Sequence, residues 1–133
     1  MPFRLTWEPF GVVSVFFGQV SPQDLFDSRK AIDGDARRAR LRYCILDYRA
    51  AQGLDIRTED CAALGRNDRR GSLNGTRLVC GVISPDESMR QAVDRYKSTL
   101  EALYPMEVFA TLAETRNWVD LQLRYMALNG AGD

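Results

Sequence analysis

Histidine is absent from this chain of 133 residues, which removes the commonest general base and the commonest metal ligand together. Net charge is absent as well. Eighteen lysines and arginines balance eighteen aspartates and glutamates, so no overall field draws the chain to nucleic acid or to an anionic membrane. No apolar run approaches the roughly 20 residues of a transmembrane helix, and Met1-Pro2-Phe3-Arg4 lacks the basic region and apolar stretch of a secretory leader. A cytoplasmic location is the expectation. Cysteine is scarce: Cys44, Cys61 and Cys80 are an odd number at spacings that fit no zinc or redox motif. Cys44 and Cys80 fall inside predicted strands and read as small core hydrophobes. Cys61 falls in the first turn of a predicted helix, where a thiolate is favoured, and is the one thiol worth testing for reactivity. Neither a metal nor a cofactor is expected.

What is present describes a globular chain. Apolar residues make up 45% and charged residues 27%, and a chain of this length forms about one domain with a core of its own. Four times an apolar, β-rich run ends at a hydroxyl residue and a helix-like pattern begins, at Ser21-Pro22, Thr58, Ser84-Pro85 and Thr111. Each hydroxyl is a helix-capping candidate that offers its oxygen to a backbone N–H left unpaired by the first turn. Glu87 and Glu114 stand three residues after Ser84 and Thr111, as capping boxes require, and Pro22 and Pro85 occupy the favoured first helical position.

Strands are predicted over residues 3–8 and 12–20, joined by the tight turn Pro9-Phe10-Gly11 as an antiparallel hairpin, and further strands over 41–48, 76–83 and 106–110. Helices are predicted over 21–33, 58–72, 86–103 and 112–128, with a loop over 49–57. Gly65 and Gly71 weaken the second helix, each by about 1 kcal/mol relative to alanine. Met89, Val93, Tyr96, Leu100 and Leu103 give the third a clear apolar stripe. One α/β domain over residues 1–128 results, with a mixed sheet of about five strands and a frayed tail over 129–133. In such sheets ligands gather beyond the carboxyl ends of the parallel strands, which here means Asp47, Tyr48, Arg49, Ser84 and Thr111.

Three constellations carry functional alternatives. Arg57, Arg66, Arg69 and Arg70 form a cluster at and along the second helix, where Arg66 and Arg70 share a face. Guanidinium forks suit phosphate or carboxylate, but Glu59, Asp60 and Asp68 would equally make this a solvated face. Asp47, ending a buried strand, is a candidate acid or ligand contact, or simply the partner of Arg49 or Arg77. On the last helix Leu112, Val119, Leu123 and Met126 fall in one sector, while Trp118, Leu121 and Tyr125 fall in another. One sector suffices to dock on a sheet; the second is either part of a wide stripe under the hairpin, a pocket wall, or a surface for a second copy or a protein partner. The segment Gly71-Ser72-Leu73-Asn74-Gly75 is no phosphate loop, since it lacks the lysine and follows a helix.

The layout, with RLTWEP at residues 4–9, LRYCILDYR at 41–49 and VFATLAETRNWV at 108–119, resembles the SpoIIAA-like (STAS-like) family over residues 1–121. It is similar in particular to the small bacterial branch grouped in one superfamily with CRAL-TRIO-type lipid-binding domains. Asp47, Asp68, Asn74 and Trp118 look like landmarks of that family. The resemblance implies a (βα) superhelical fold and a regulatory, partner-binding or ligand-binding role in place of catalysis. On that basis the first expectation is a module binding a small apolar or amphipathic anionic ligand, with Asp47, Arg49, Arg66, Arg69 and Arg70 near its head group. The alternative is a protein-partner switch of the anti-sigma-factor-antagonist type. The best-known relatives of that type are switched by phosphorylation of a serine where the helix after a central strand begins. No serine lies between Asp47 and Thr58 here, so Thr58 is the residue that would take that role. An enzyme built on Asp47 or Cys61 is the distant third reading.

Overall fold

The computed structural model describes residues 2–54, 57–72, 78–100 and 105–130. Five strands form one sheet in the order β1 (Phe3–Trp7), β2 (Gly11–Val20), β3 (Tyr43–Leu54), β4 (Val79–Ile83) and β5 (Met106–Phe109). The β1–β2 hairpin is antiparallel and every later pairing is parallel, as the opening turn and the helical crossovers dictate. Four helices connect them: α1 (Pro22–Asp33), α2 (Thr58–Ser72), α3 (Glu87–Leu100) and α4 (Leu112–Gly130), with a short 3-10 helix over Ala36–Arg40 that was not expected.

Strand alternation divides the apolar residues between two faces. Phe16, Leu46, Tyr48, Cys80, Val82, Met106 and Val108 meet α1, α2 and α3 on one side, through Leu25, Cys61, Leu64, Met89, Val93 and Tyr96. Phe16 and Tyr48 stack there at 4.7 Å between ring centroids. On the other face Ile45, Val79 and Ile83 are covered by α4 through Val119, Leu112, Leu123 and Met126. Gly81 makes that approach close, because a Cβ there would lie 2.5 Å from Thr115 Cγ2. The buried hydroxyls of Ser14 in β2 and Ser28 in α1 satisfy each other at 3.1 Å.

The expected loop over 49–57 is the main correction in architecture. Residues 49–54 continue β3, because β2 also runs on to Val20 and offers a pairing edge: Ala50 faces Phe17 and Leu54 faces Val20. β4 ends at Ile83, so this stretch of β3 has β2 on one side and overhangs on the other. The last helix also extends past residue 128, to Gly130. Residues 76, 77 and 101–103, placed by the sequence reading in a strand and a helix, lie outside the described residues, as does Asn74.

Helix starts follow the expected chemistry with two shifts. Ser21 caps α1 and Asp24 returns the bond at 2.8 Å, a complete capping box. Thr111 accepts from the Glu114 N–H at 3.2 Å and donates to the Glu114 carboxylate at 2.8 Å. Ser84 is not the cap of α3. It is buried and accepts from the Asp86 N–H, while Asp86 accepts from the Ser88 N–H at 3.0 Å and caps the helix two residues later. Thr58 is likewise already helical. Arg57 stands in the cap position, its N–H donated to Asp60 Oδ2 at 3.0 Å and its carbonyl accepting from Cys61.

Candidate functional site

The overhang of β3 and the start of α3 enclose an open cleft of about 170 Å³ at the carboxyl end of the sheet. Tyr48, Arg49 and Leu54 line it from β3, Ser84 and Ser88 from the turn and first turn of α3, and Arg95 from further along that helix. Position follows from topology: β4 is only five residues long, its chain turns over Ser84-Pro85-Asp86, and β3 runs past it. Sequence reasoning named Tyr48, Arg49 and Ser84 as residues of this end. It missed Ser88 and Arg95, which read only as polar positions of an amphipathic helix.

Asp47 precedes the cleft-lining Tyr48 and Arg49, lies on the α4 side of β3 and is buried. Burial pushes its carboxyl upward, but the Arg49 guanidinium and backbone N–H more than reverse this, so it titrates below the ordinary aspartate range. Arg49 donates to it three times: Nε at 3.0 Å, Nη2 at 2.8 Å and the backbone N–H at 3.0 Å. This is a closed pair that fixes a strand end, not a carboxyl poised as an acid near neutral pH.

Of the three α2 arginines expected near that pair, only the side chain of Arg66 is among the described residues. Arg66 is exposed on α2, and α2 packs on the opposite face of the sheet from Asp47. The side chains of Thr58, Asp68, Arg69 and Arg70 lie outside the described residues. Cys61 is buried against the sheet, and desolvation pushes its thiol above the ordinary value despite Arg95 nearby. The thiolate expected from its first-turn position is therefore disfavoured. Burial outweighs the helix terminus.

Between α1–α3 and the sheet the described residues enclose a second cavity of about 40 Å³, lined by Leu25, Arg29, Leu46, Tyr96 and neighbours. A drug-sized ligand needs roughly 300 Å³ or more, so this space holds about one water and not an acyl chain. Arg29 lies over the Tyr96 ring at 5.7 Å.

A third polar group ties α4 to the hairpin. Arg116 grips Glu8 with both terminal nitrogens, at 3.1 and 2.7 Å, and the Tyr43 hydroxyl donates to the same carboxylate. The Arg116 bonds hold Glu8 below its usual range, and burial with Glu8 alongside pushes Tyr43 up to about 12. On α4 itself Trp118 is half-buried, its ring 5.8 Å from Phe109, whereas Leu121 and Tyr125 are exposed and Leu128 joins them. The second apolar sector is thus divided: its aromatic flank is partly docked, and its centre faces outward.

No family model and no curated protein matches the chain. Solved structures do. The anti-sigma factor antagonist SpoIIAA in its unphosphorylated form superposes with a TM-score of 0.56 at 18% identity, covering 89% of this chain and 97% of that one. The fold is SpoIIAA-like. The phosphorylated form of SpoIIAA, a Bacillus cell fate determinant, matches at 0.55 and 19% identity over 88% and 98% of the two chains. An uncharacterized protein with a SpoIIAA-like fold from Shewanella loihica matches at 0.55 and 11% identity, covering 88% of this chain and 91% of that one. The five-stranded mixed sheet and four helices expected from the sequence are this architecture. Among the described residues no helix is long and apolar enough to cross a membrane.

Proposed function

We propose that the chain is a non-catalytic, cytoplasmic protein-partner module of the SpoIIAA type. Its recognition surface is the end of the sheet where α2 and α3 begin, and a negative charge at Thr58 alters partner affinity. The observation that carries this reading is the fold match to an anti-sigma factor antagonist solved in both unphosphorylated and phosphorylated forms, over nearly the whole of each. Thr58 opens α2, and helix N-termini favour added negative charge. Among the described residues, an interior cavity of only about 40 Å³ supports a surface role over the enclosed amphipathic ligand first expected. The closed Asp47–Arg49 pair and the buried Cys61, whose thiolate desolvation disfavours, support a non-catalytic one.

Tagged wild-type chain, Thr58→Glu and Thr58→Ala, expressed in the source cells and recovered under native conditions, test this reading. One partner should be held in stoichiometric amount by wild type and Thr58→Ala and lost by Thr58→Glu. Identical recovery from all three removes the switch. An apo-free preparation, carrying small-molecule mass that leaves on denaturation and no partner, removes the module reading and restores the ligand.

A further inference from the structure

We infer that the outer face of α4 is a self-complementary surface that takes a second copy of this chain, helix antiparallel to helix. The exposed residues Leu121 (61%), Tyr125 (64%) and Leu128 (85%) form a stripe that Trp118 borders. At 100° per residue the four span about 80° of arc, a strip wide enough for one helix to seat on. Their spacing is symmetric. Trp118 and Leu128 lie equally far on either side of position 123, and so do Leu121 and Tyr125. A two-fold axis opposite that position therefore sets Leu121 of one copy against Tyr125 of the other, and Trp118 against Leu128, twice over.

The charges fit the same register. Asp120 and Arg124 are both exposed on one flank of the stripe and belong to none of the ion pairs found among the described residues. An antiparallel two-fold brings the same flank of both helices together. It places Asp120 about 3 Å along the axis from Arg124 of the other copy, within reach of an ion pair, and does so symmetrically. A parallel pairing would set like residues level with one another and lose this match. Four side chains per copy make a small interface, so association belongs to the weak, micromolar class. The surface lies on the opposite face of the sheet from α2, which leaves the start of that helix open. The inference does not rest on the proposed function.

Sedimentation velocity of the purified full chain across the micromolar range tests it with no partner present. Wild type should convert from monomer to dimer with concentration. Leu121→Lys should remain monomeric with an unchanged far-ultraviolet spectrum. Asp120→Arg and Arg124→Asp should each weaken the dimer by about tenfold, and the double exchange should return to near wild type. Wild type that stays monomeric throughout overturns the inference. So does a dimer indifferent to Leu121→Lys, or a double exchange no better than either single one, since the register would then be wrong.

Discussion

Single residues set how closely α4 can approach the sheet. Gly81 is the sharpest case, because an added Cβ meets Thr115 Cγ2 at 2.5 Å and Val119 Cγ2 at 3.3 Å. Thr115 is fully buried and β-branched, and its hydroxyl is bound to the Thr111 carbonyl at 2.8 Å, so moving its methyl aside disturbs that bond. Gly81→Ala should therefore cost about 1–3 kcal/mol in urea unfolding, the ordinary cost of overpacking. A loss below a few tenths would mean that α4 sits less tightly than described. Gly18 is constrained differently: its φ of 70° lies where side chains are strained, although nothing stands within 4 Å of an added Cβ. Neither position could be ranked from sequence, since a glycine in a strand reads the same whether space or backbone demands it. Cys61 shows the limit from the other side. Its helical position was legible, but its burial depends on α2 packing against α3, whose Arg95 lies beside it and is far along the chain.

At the scale of elements, capping chemistry was the most legible layer and its exact register the least. Ser21 and Thr111 cap as the hydroxyl pattern predicts. Asp86 took the role of Ser84 because the buried Ser84 N–H is held by the Phe109 carbonyl at 2.8 Å, which keeps that residue in the strand-end turn. Asp86→Ala should consequently destabilise the protein by about 1 kcal/mol through the loss of the α3 cap. An effect confined to noise would leave the cap with another residue. The Glu8–Arg116–Tyr43 group joins three elements that no local pattern connects, since its members are 35 and 108 residues apart. Its titration has a definite sign. Glu8 is held below its usual value in the folded chain, so its contribution is complete above the unfolded value and is lost as pH falls through the folded one. Glu8→Gln should therefore be less stable than wild type by about 1 kcal/mol at pH 7, with the gap closing from roughly pH 5 downward. Urea curves at pH 7, 5 and 3 would read it; a gap independent of pH would assign Glu8 a packing role only.

Taken as a whole, the molecule puts three helices on one face of its sheet and a single helix on the other. The fold class, the antiparallel hairpin beside a parallel core and the number of helices were legible because alternation, punctuation and crossover handedness constrain topology strongly. The candidate site was legible as a place, the carboxyl end of the sheet, and not as a set of residues. Its extent depends on how far β3 outruns β4, which pairing with β2 decides. Volume was also beyond reach of the sequence, and it bears most on function. The large apolar residues Phe16, Leu46, Tyr48, Val82 and Met106 that would line a lipid pocket instead fill it, with Phe16 and Tyr48 stacked through its middle. Admitting an acyl chain among these described residues would separate α2 and α3 from the sheet, at a cost of several buried side chains of about 1.5–3 kcal/mol each. Saturating palmitate should thus leave the melting temperature unchanged within about 1 °C, because a ligand that does not bind the folded state contributes no linkage. A rise of several degrees would require a ligand-bound form in which those helices stand apart, and the ligand reading would then displace the partner module.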